Sequence, residues 1–156
     1  MDGDCCNQGS IGNYVGVKVV KAVPMTVNEY NEKVRPLVYS GDDKSGYKVT
    51  YQDGYEAWSP KAVFEKAYLR IGYDNKINEH NVNDFIVKYE TRKWGDKTTI
   101  VVATLANGFV VCESSSCIDP ANYNEDIGYN ICKEKIQNKV WEMLGFLLQC
   151  GVNGIK

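Results

Sequence analysis

The stretch from Thr98 to Ser114 limits the fold more than any other part of the chain. Thr98, Ile100, Val102 and Thr104 alternate with Thr99, Val101 and Ala103, which is the period-two pattern of a strand. Neither set is polar enough to face water alone, so this strand is expected at the centre of its sheet. Asn107-Gly108 then offers the left-handed backbone that a tight hairpin turn demands, and Phe109 to Ser114 must return antiparallel. On the other side, extended Val87 to Lys93 reaches the turn Gly95-Asp96, so the three segments form an antiparallel meander. Asp119-Pro120 and Asn124-Glu125-Asp126 are successive helix starts, with carboxylates at the positive end of the helix dipole. The long helix that follows, from about Glu125 to Gln149, places Ile127, Ile131, Ile136, Val140, Leu144 and Leu147-Leu148 in steps of three to five, a stripe able to cover the sheet. Lys133, Lys135, Lys139 and Glu142 are expected to stay wet, whereas Trp141 and Phe146 widen the apolar band and fit either core or a subunit contact.

Upstream, residues 1–13 carry no periodicity and are expected to be a disordered tail. Val15, Val17, Val19 and Val23 alternate as a strand that Pro24 stops, and Thr26 with Glu29 has capping-box spacing for a short helix through Lys33. Tyr47, Val49 and Tyr51 form a second strand, Asp53-Gly54 a turn, and Tyr55 to Trp58 the returning strand. Ser59-Pro60 is expected to cap a helix carrying Val63, Phe64, Ala67 and Tyr68 on one face. Residues 71–77 have linker composition, and Asn78 caps a helix through Phe85. The fold class is therefore α+β: an antiparallel β-meander packed against a long C-terminal α-helix (78–156), preceded by a small β-rich module with a short helix (14–70).

Charge and composition exclude several functions. With 18 basic and 20 acidic residues the net charge of −2 gives no general basic field, so binding to a DNA or RNA duplex is not expected. The acidic start Met1-Asp2-Gly3-Asp4 is not that of a signal peptide, and Leu144 to Leu148 is far shorter than the roughly 20 residues of a membrane span. A cytosolic protein with six reduced thiols is expected. Four residues separate Cys112 from Cys117, but no second such pair exists and His80 is the only histidine, so neither a metal nor a cofactor is expected. A lone histidine, and no phosphate loop of Walker or Rossmann spacing, also argue against an enzyme.

Two stretches suit a ligand. In Arg92-Lys93-Trp94-Gly95-Asp96-Lys97, three cations and an indole share one hairpin tip, where guanidinium and ammonium pair with phosphate and the ring stacks on a base; an exposed polar turn is the ordinary alternative. From Glu113 to Tyr123, hydroxyls and amides lead from a strand end to a helix start, which suits an anion or ribose as well as it suits an ordinary capping loop.

This second stretch carries a resemblance. Asn107-Gly108-Phe109, Glu113-Ser114-Ser115-Ser116-Cys117-Ile118-Asp119-Pro120-Ala121-Asn122-Tyr123, Ile127-Gly128, Lys139-Val140-Trp141 and Leu144-Gly145-Phe146-Leu147-Leu148, in this order over Asn78 to Cys150, resemble the Thoeris anti-defense protein 1 family of small tailed-phage and prophage proteins. Members often carry alanine where Ser116 stands. Trp58-Ser59-Pro60, Asp53-Gly54-Tyr55 and Glu29-Tyr30-Asn31 resemble a small module that precedes several phage anti-defense domains. The resemblance implies a non-catalytic sponge for a cyclic nucleotide immune signal, glyco-cyclic ADP-ribose and in some relatives cyclic trinucleotides. It also implies a homodimer or hexamer through the C-terminal helix, acting in the cytoplasm of the infected or lysogenic host. The expected ligand-binding residues are Trp94 stacking on adenine, Arg92 and Lys97 pairing with pyrophosphate, and Ser114, Ser115, Asn122 and Tyr123 holding ribose hydroxyls, together with Lys93 and Glu113. Direct blocking of a host protein and hydrolysis of the signal remain as the two other readings.

Overall fold

A computed structural model describes residues 13–37, 39, 41–72 and 74–156; apart from Asn13, the expected tail lies outside them. The chain is α+β. Strands β1 (Lys21–Pro24), β2 (Gly46–Thr50) and β3 (Glu56–Pro60) form one antiparallel sheet in that order. Helices α1 (Val27–Lys33) and α2 (Lys61–Ala67) accompany it. Helix α3 (Glu79–Phe85) then leads into the meander of β4 (Ile86–Trp94), β5 (Thr98–Leu105) and β6 (Val110–Ser116), and helix α4 (Glu125–Asn153) follows.

In the upstream module the Thr26–Glu29 capping box forms as expected, and α1 buries Val27 and Tyr30, whose phenol donates to the Glu56 carbonyl of β3 at 3.3 Å. Two expectations change. The chain around Val15 to Val19 does not join the ladder, and β1 begins only at Lys21. Instead the Val19 amide donates to the Gly151 carbonyl at 3.3 Å, so this extended segment lies along the end of α4. Ser59 does not cap α2 either: it pairs with Tyr47 within the sheet, and Pro60 is the cap. Helix α2 buries no residue; it holds Phe64 between the rings of Tyr47 and Tyr68, with centroids 4.5 and 4.8 Å away.

In the second unit β5 is central, with Thr99, Val101, Ala103 and Leu105 buried beneath α4. Gly108 takes φ 85° in the β5–β6 turn, as a hairpin this tight requires. The buried row of α4 is Gly128, Cys132, Ile136, Val140 and Leu144, a strict i, i+4 series. The expected stripe members Ile127 and Ile131 point outward, 60 % and 41 % exposed. The cause is proximity to β5: a Cβ on Gly128 would lie 2.3 Å from the Thr99 hydroxyl, so only glycine allows the helix start to come this close. Val82 of α3 and Ile86 close the same core.

Candidate functional site

Strand register decides which candidate residues share a face. Arg92 pairs with Ile100, which pairs with Ser114, and Trp94 pairs with Thr98, which pairs with Ser116. Side chains alternate along a strand, so these six lie on the sheet face turned away from α4. Lys93, Thr99 and Ser115 form the intervening row and face the helix, as does Glu113. The candidates therefore fall into two groups on opposite faces of one sheet.

The outward group is a platform. Arg92 and Trp94 stand on the β4 edge and Ser114 and Ser116 on the β6 edge, two strand spacings or about 10 Å apart. Ile100, half-buried, and the Thr98–Ser116 hydroxyl pair, 2.8 Å apart, form the floor between them. Trp94 is 72 % exposed, so one of its faces is available for stacking. Lys97 is exposed in the turn at the same end. Neither Arg92 nor Lys97 makes an ion pair among the described residues.

The helix-side group is more tightly held. The Lys93 ammonium lies 4.2 Å from the centroid of the Tyr123 ring, and the Thr99 hydroxyl bonds the Tyr123 phenol at 3.2 Å. Glu113 forms an ion pair with Lys139, and Lys135 donates to the Ser114 carbonyl at 3.0 Å. Asn122 is exposed at the end of the 3-10 turn Pro120–Asn122. Six backbone amides between Cys117 and Gly128 are engaged. Asp119 accepts from Ala121 and Asn122 through its side chain and carbonyl, Pro120 from Tyr123, Asn124 from Ile127 and Gly128, and Lys97 from Cys117. Glu125 and Asp126 already occupy the first turn of α4. A phosphate at the helix start meets these two carboxylates, so the cationic side chains available for anion pairing are those of Arg92, Lys93 and Lys97.

Three contributors escaped the sequence reading. Thr99 had its face assigned but no role; a hydroxyl in an otherwise apolar inward row was the available signal. Lys135 and Lys139, at i, i+4 on α4, are exposed as expected, and both also reach β6. His80 is exposed and pairs with Asp84 one turn along α3 at 3.1 Å. Two surface grooves lie away from these groups: one of about 540 Å³ between α3 and α4, floored by Tyr89, and one of about 460 Å³ beside Tyr51 and Tyr55. No described helix is long and apolar enough to cross a membrane.

No curated protein and no solved structure matches the chain. Residues 61–152, more than half of the chain and inclusive of every candidate ligand residue, match a family model, and the chain belongs to the phage protein (N4 Gp49/phage Sf6 gene 66) family.

Proposed function

We propose that this phage-family protein captures and sequesters a cyclic nucleotide immune signal without degrading it, in the cytoplasm of an infected or lysogenic bacterium. The signal is of the glyco-cyclic ADP-ribose type, with cyclic trinucleotides as further ligands. The observation that carries this reading is the outward platform: an exposed indole, a guanidinium and a row of hydroxyls across about 10 Å match a base, a pyrophosphate and riboses. Capture needs stacking and charge pairing, with no nucleophile or base. Trp94 and Tyr123 stand on opposite sides of one sheet, so a ligand stacked on both rings at once is best accommodated between two copies of the chain. The exposed Ile127 and Phe146 of α4, 60 % and 72 %, suit such pairing through the helix into a homodimer or hexamer.

Direct blocking of a host protein is the second reading, and Ile118 favours it: this branched apolar side chain is 97 % exposed beside the same platform. One experiment separates the readings. Purified protein is incubated with glyco-cyclic ADP-ribose, washed, denatured by heat, and the supernatant analysed by mass spectrometry. Intact ligand in stoichiometric amount is the expected result. Degraded ligand would establish a hydrolase, and absence of retained ligand would favour the protein-blocking reading.

A further inference from the structure

The groove between α3 and α4 is separate from both groups above and has its own chemistry. Asn130, Lys133, Glu134 and Gln137 line one wall from α4 at spacings of three and four, so they share a helix face. Glu79 and Asn83 line the other from α3, one turn apart, and Tyr89 of β4 forms the floor. At one end Gln137 Nε2 donates to Asn83 Oδ1 at 2.9 Å, which ties the two helices together and fixes the width there. That bond uses one donor of Gln137 and one acceptor lone pair of Asn83, so both carboxamides keep hydrogen-bonding capacity. Its volume of about 540 Å³ is within the range of small-molecule sites.

The lining selects among ligand classes. Glu79 and Glu134 outnumber the single cation Lys133, which disfavours a phosphate. A ligand ammonium is disfavoured for the opposite reason: Lys133 already stands over the Tyr89 ring, 5.8 Å from its centroid. A hydrocarbon would leave carboxamides and carboxylates unpaired. What remains is a neutral ligand rich in hydroxyls. Adjacent hydroxyls can donate together to one carboxylate, and carboxamides both donate and accept. Burial, with Tyr129 beside it, pushes the Tyr89 phenol up, so it stays a neutral hydrogen-bonding group.

We propose that the α3–α4 groove is a second binding site, for a neutral vicinal diol of the sugar type, either a free sugar or the ribose of an uncharged nucleoside. Neither the platform nor the sponge reading is needed for it. The test is an amide-resolved NMR titration of the full chain with D-ribose, adenosine and AMP, each to about 20 mM, a range suited to the millimolar affinity expected of a few hydrogen bonds. The expected result is saturable shifts at Asn83, Asn130 and Gln137 with ribose and adenosine, and a weaker response to AMP. Equal responses assign the diol to a free sugar, and a stronger response to adenosine assigns it to a nucleoside. Glu134→Gln and Asn130→Ala, both at exposed helix positions that leave the fold intact, should each weaken binding about tenfold. Absence of saturable shifts, shifts located elsewhere, tighter binding of AMP, a response to adenosine alone, or affinity unchanged in both variants would overturn the proposal.

Discussion

Lys93 and Tyr123 meet across the seam between β4 and the loop into α4, with the ammonium 4.2 Å from the ring centroid. The two residues are thirty positions apart and belong to different candidate stretches, yet β4–β5 register and the start of α4 make them neighbours. Thr99 fixes the other side of the contact. It is 1 % exposed and its hydroxyl bonds the Tyr123 phenol. Thr99→Val keeps the shape and removes that bond. The expected cost is about 1 kcal/mol, seen as a fall of roughly 3 °C in Tm by calorimetry. Thr99→Ser should keep the bond and lose only a methyl contact, and an equal loss in both variants would show that the hydroxyl is unimportant.

The opposition of faces gives a test of how the ligand is held. Trp94→Ala and Tyr123→Ala remove one ring from each group, and loss of a stacked base costs about 1–3 kcal/mol, or roughly five- to 150-fold in Kd. If the ligand bridges two copies, both variants should weaken glyco-cyclic ADP-ribose binding in isothermal titration calorimetry. Weakening in one variant alone would place the ligand on that ring's side of the sheet. Unchanged affinity in both would place the ligand elsewhere.

How much of this was legible in the sequence follows from the range of the forces involved. The hairpins and the Thr26 and Asn78 caps depend on neighbours within a few residues, and they form where Asn107-Gly108, Gly95, Thr26 with Glu29, and Asn78 indicate. The buried face of α4 did not follow from counting large apolar residues. The helix turns Gly128 and Cys132 inward and leaves Ile127 and Ile131 outside, because contact with Thr99 selects for small size rather than hydrophobicity. Likewise the alternation at Val15 to Val19 does not become a strand: Val15 stays 86 % exposed, and Val19 is tied instead to the end of α4. Alternation along β4 already separates Arg92 from Lys93, and only the packing of α4 shows that Lys93 is the one facing the helix.

Two glycines of α4 should respond in opposite ways to alanine. At Gly128 the new Cβ meets the Thr99 side chain at 2.3 and 2.7 Å, so helix and strand must separate, at a cost of about 1–3 kcal/mol. Gly145 is exposed with nothing within 4 Å, and alanine there should stabilise an isolated chain by up to about 1 kcal/mol through helix propensity. Light scattering adds the association state. If α4 pairs with a second copy, Phe146→Lys, at a position 72 % exposed, should lower the measured mass without lowering the stability of the monomer. An unchanged mass would remove α4 from the interface.

Acid should weaken the upstream module through two carboxylates. The Lys48 ammonium, 2.9 Å from Glu56 Oε1, holds that carboxyl below its usual range, and the Thr26 backbone amide, with Lys33 behind it, does the same for Glu29. A carboxyl whose pKa is lower in the folded chain binds fewer protons there than when unfolded. Its contribution is thus complete above the unfolded value of about 4.5 and is lost as pH falls through the folded value. The Trp58 indole N–H, which donates to the Met25 carbonyl at 2.9 Å, reports on this module. Its NMR protection from exchange should decline below about pH 4.5. Glu56→Gln should lower protection at neutral pH and flatten its dependence on acid, and a profile as steep as that of the unaltered chain would show that Glu56 is not one of the groups responsible.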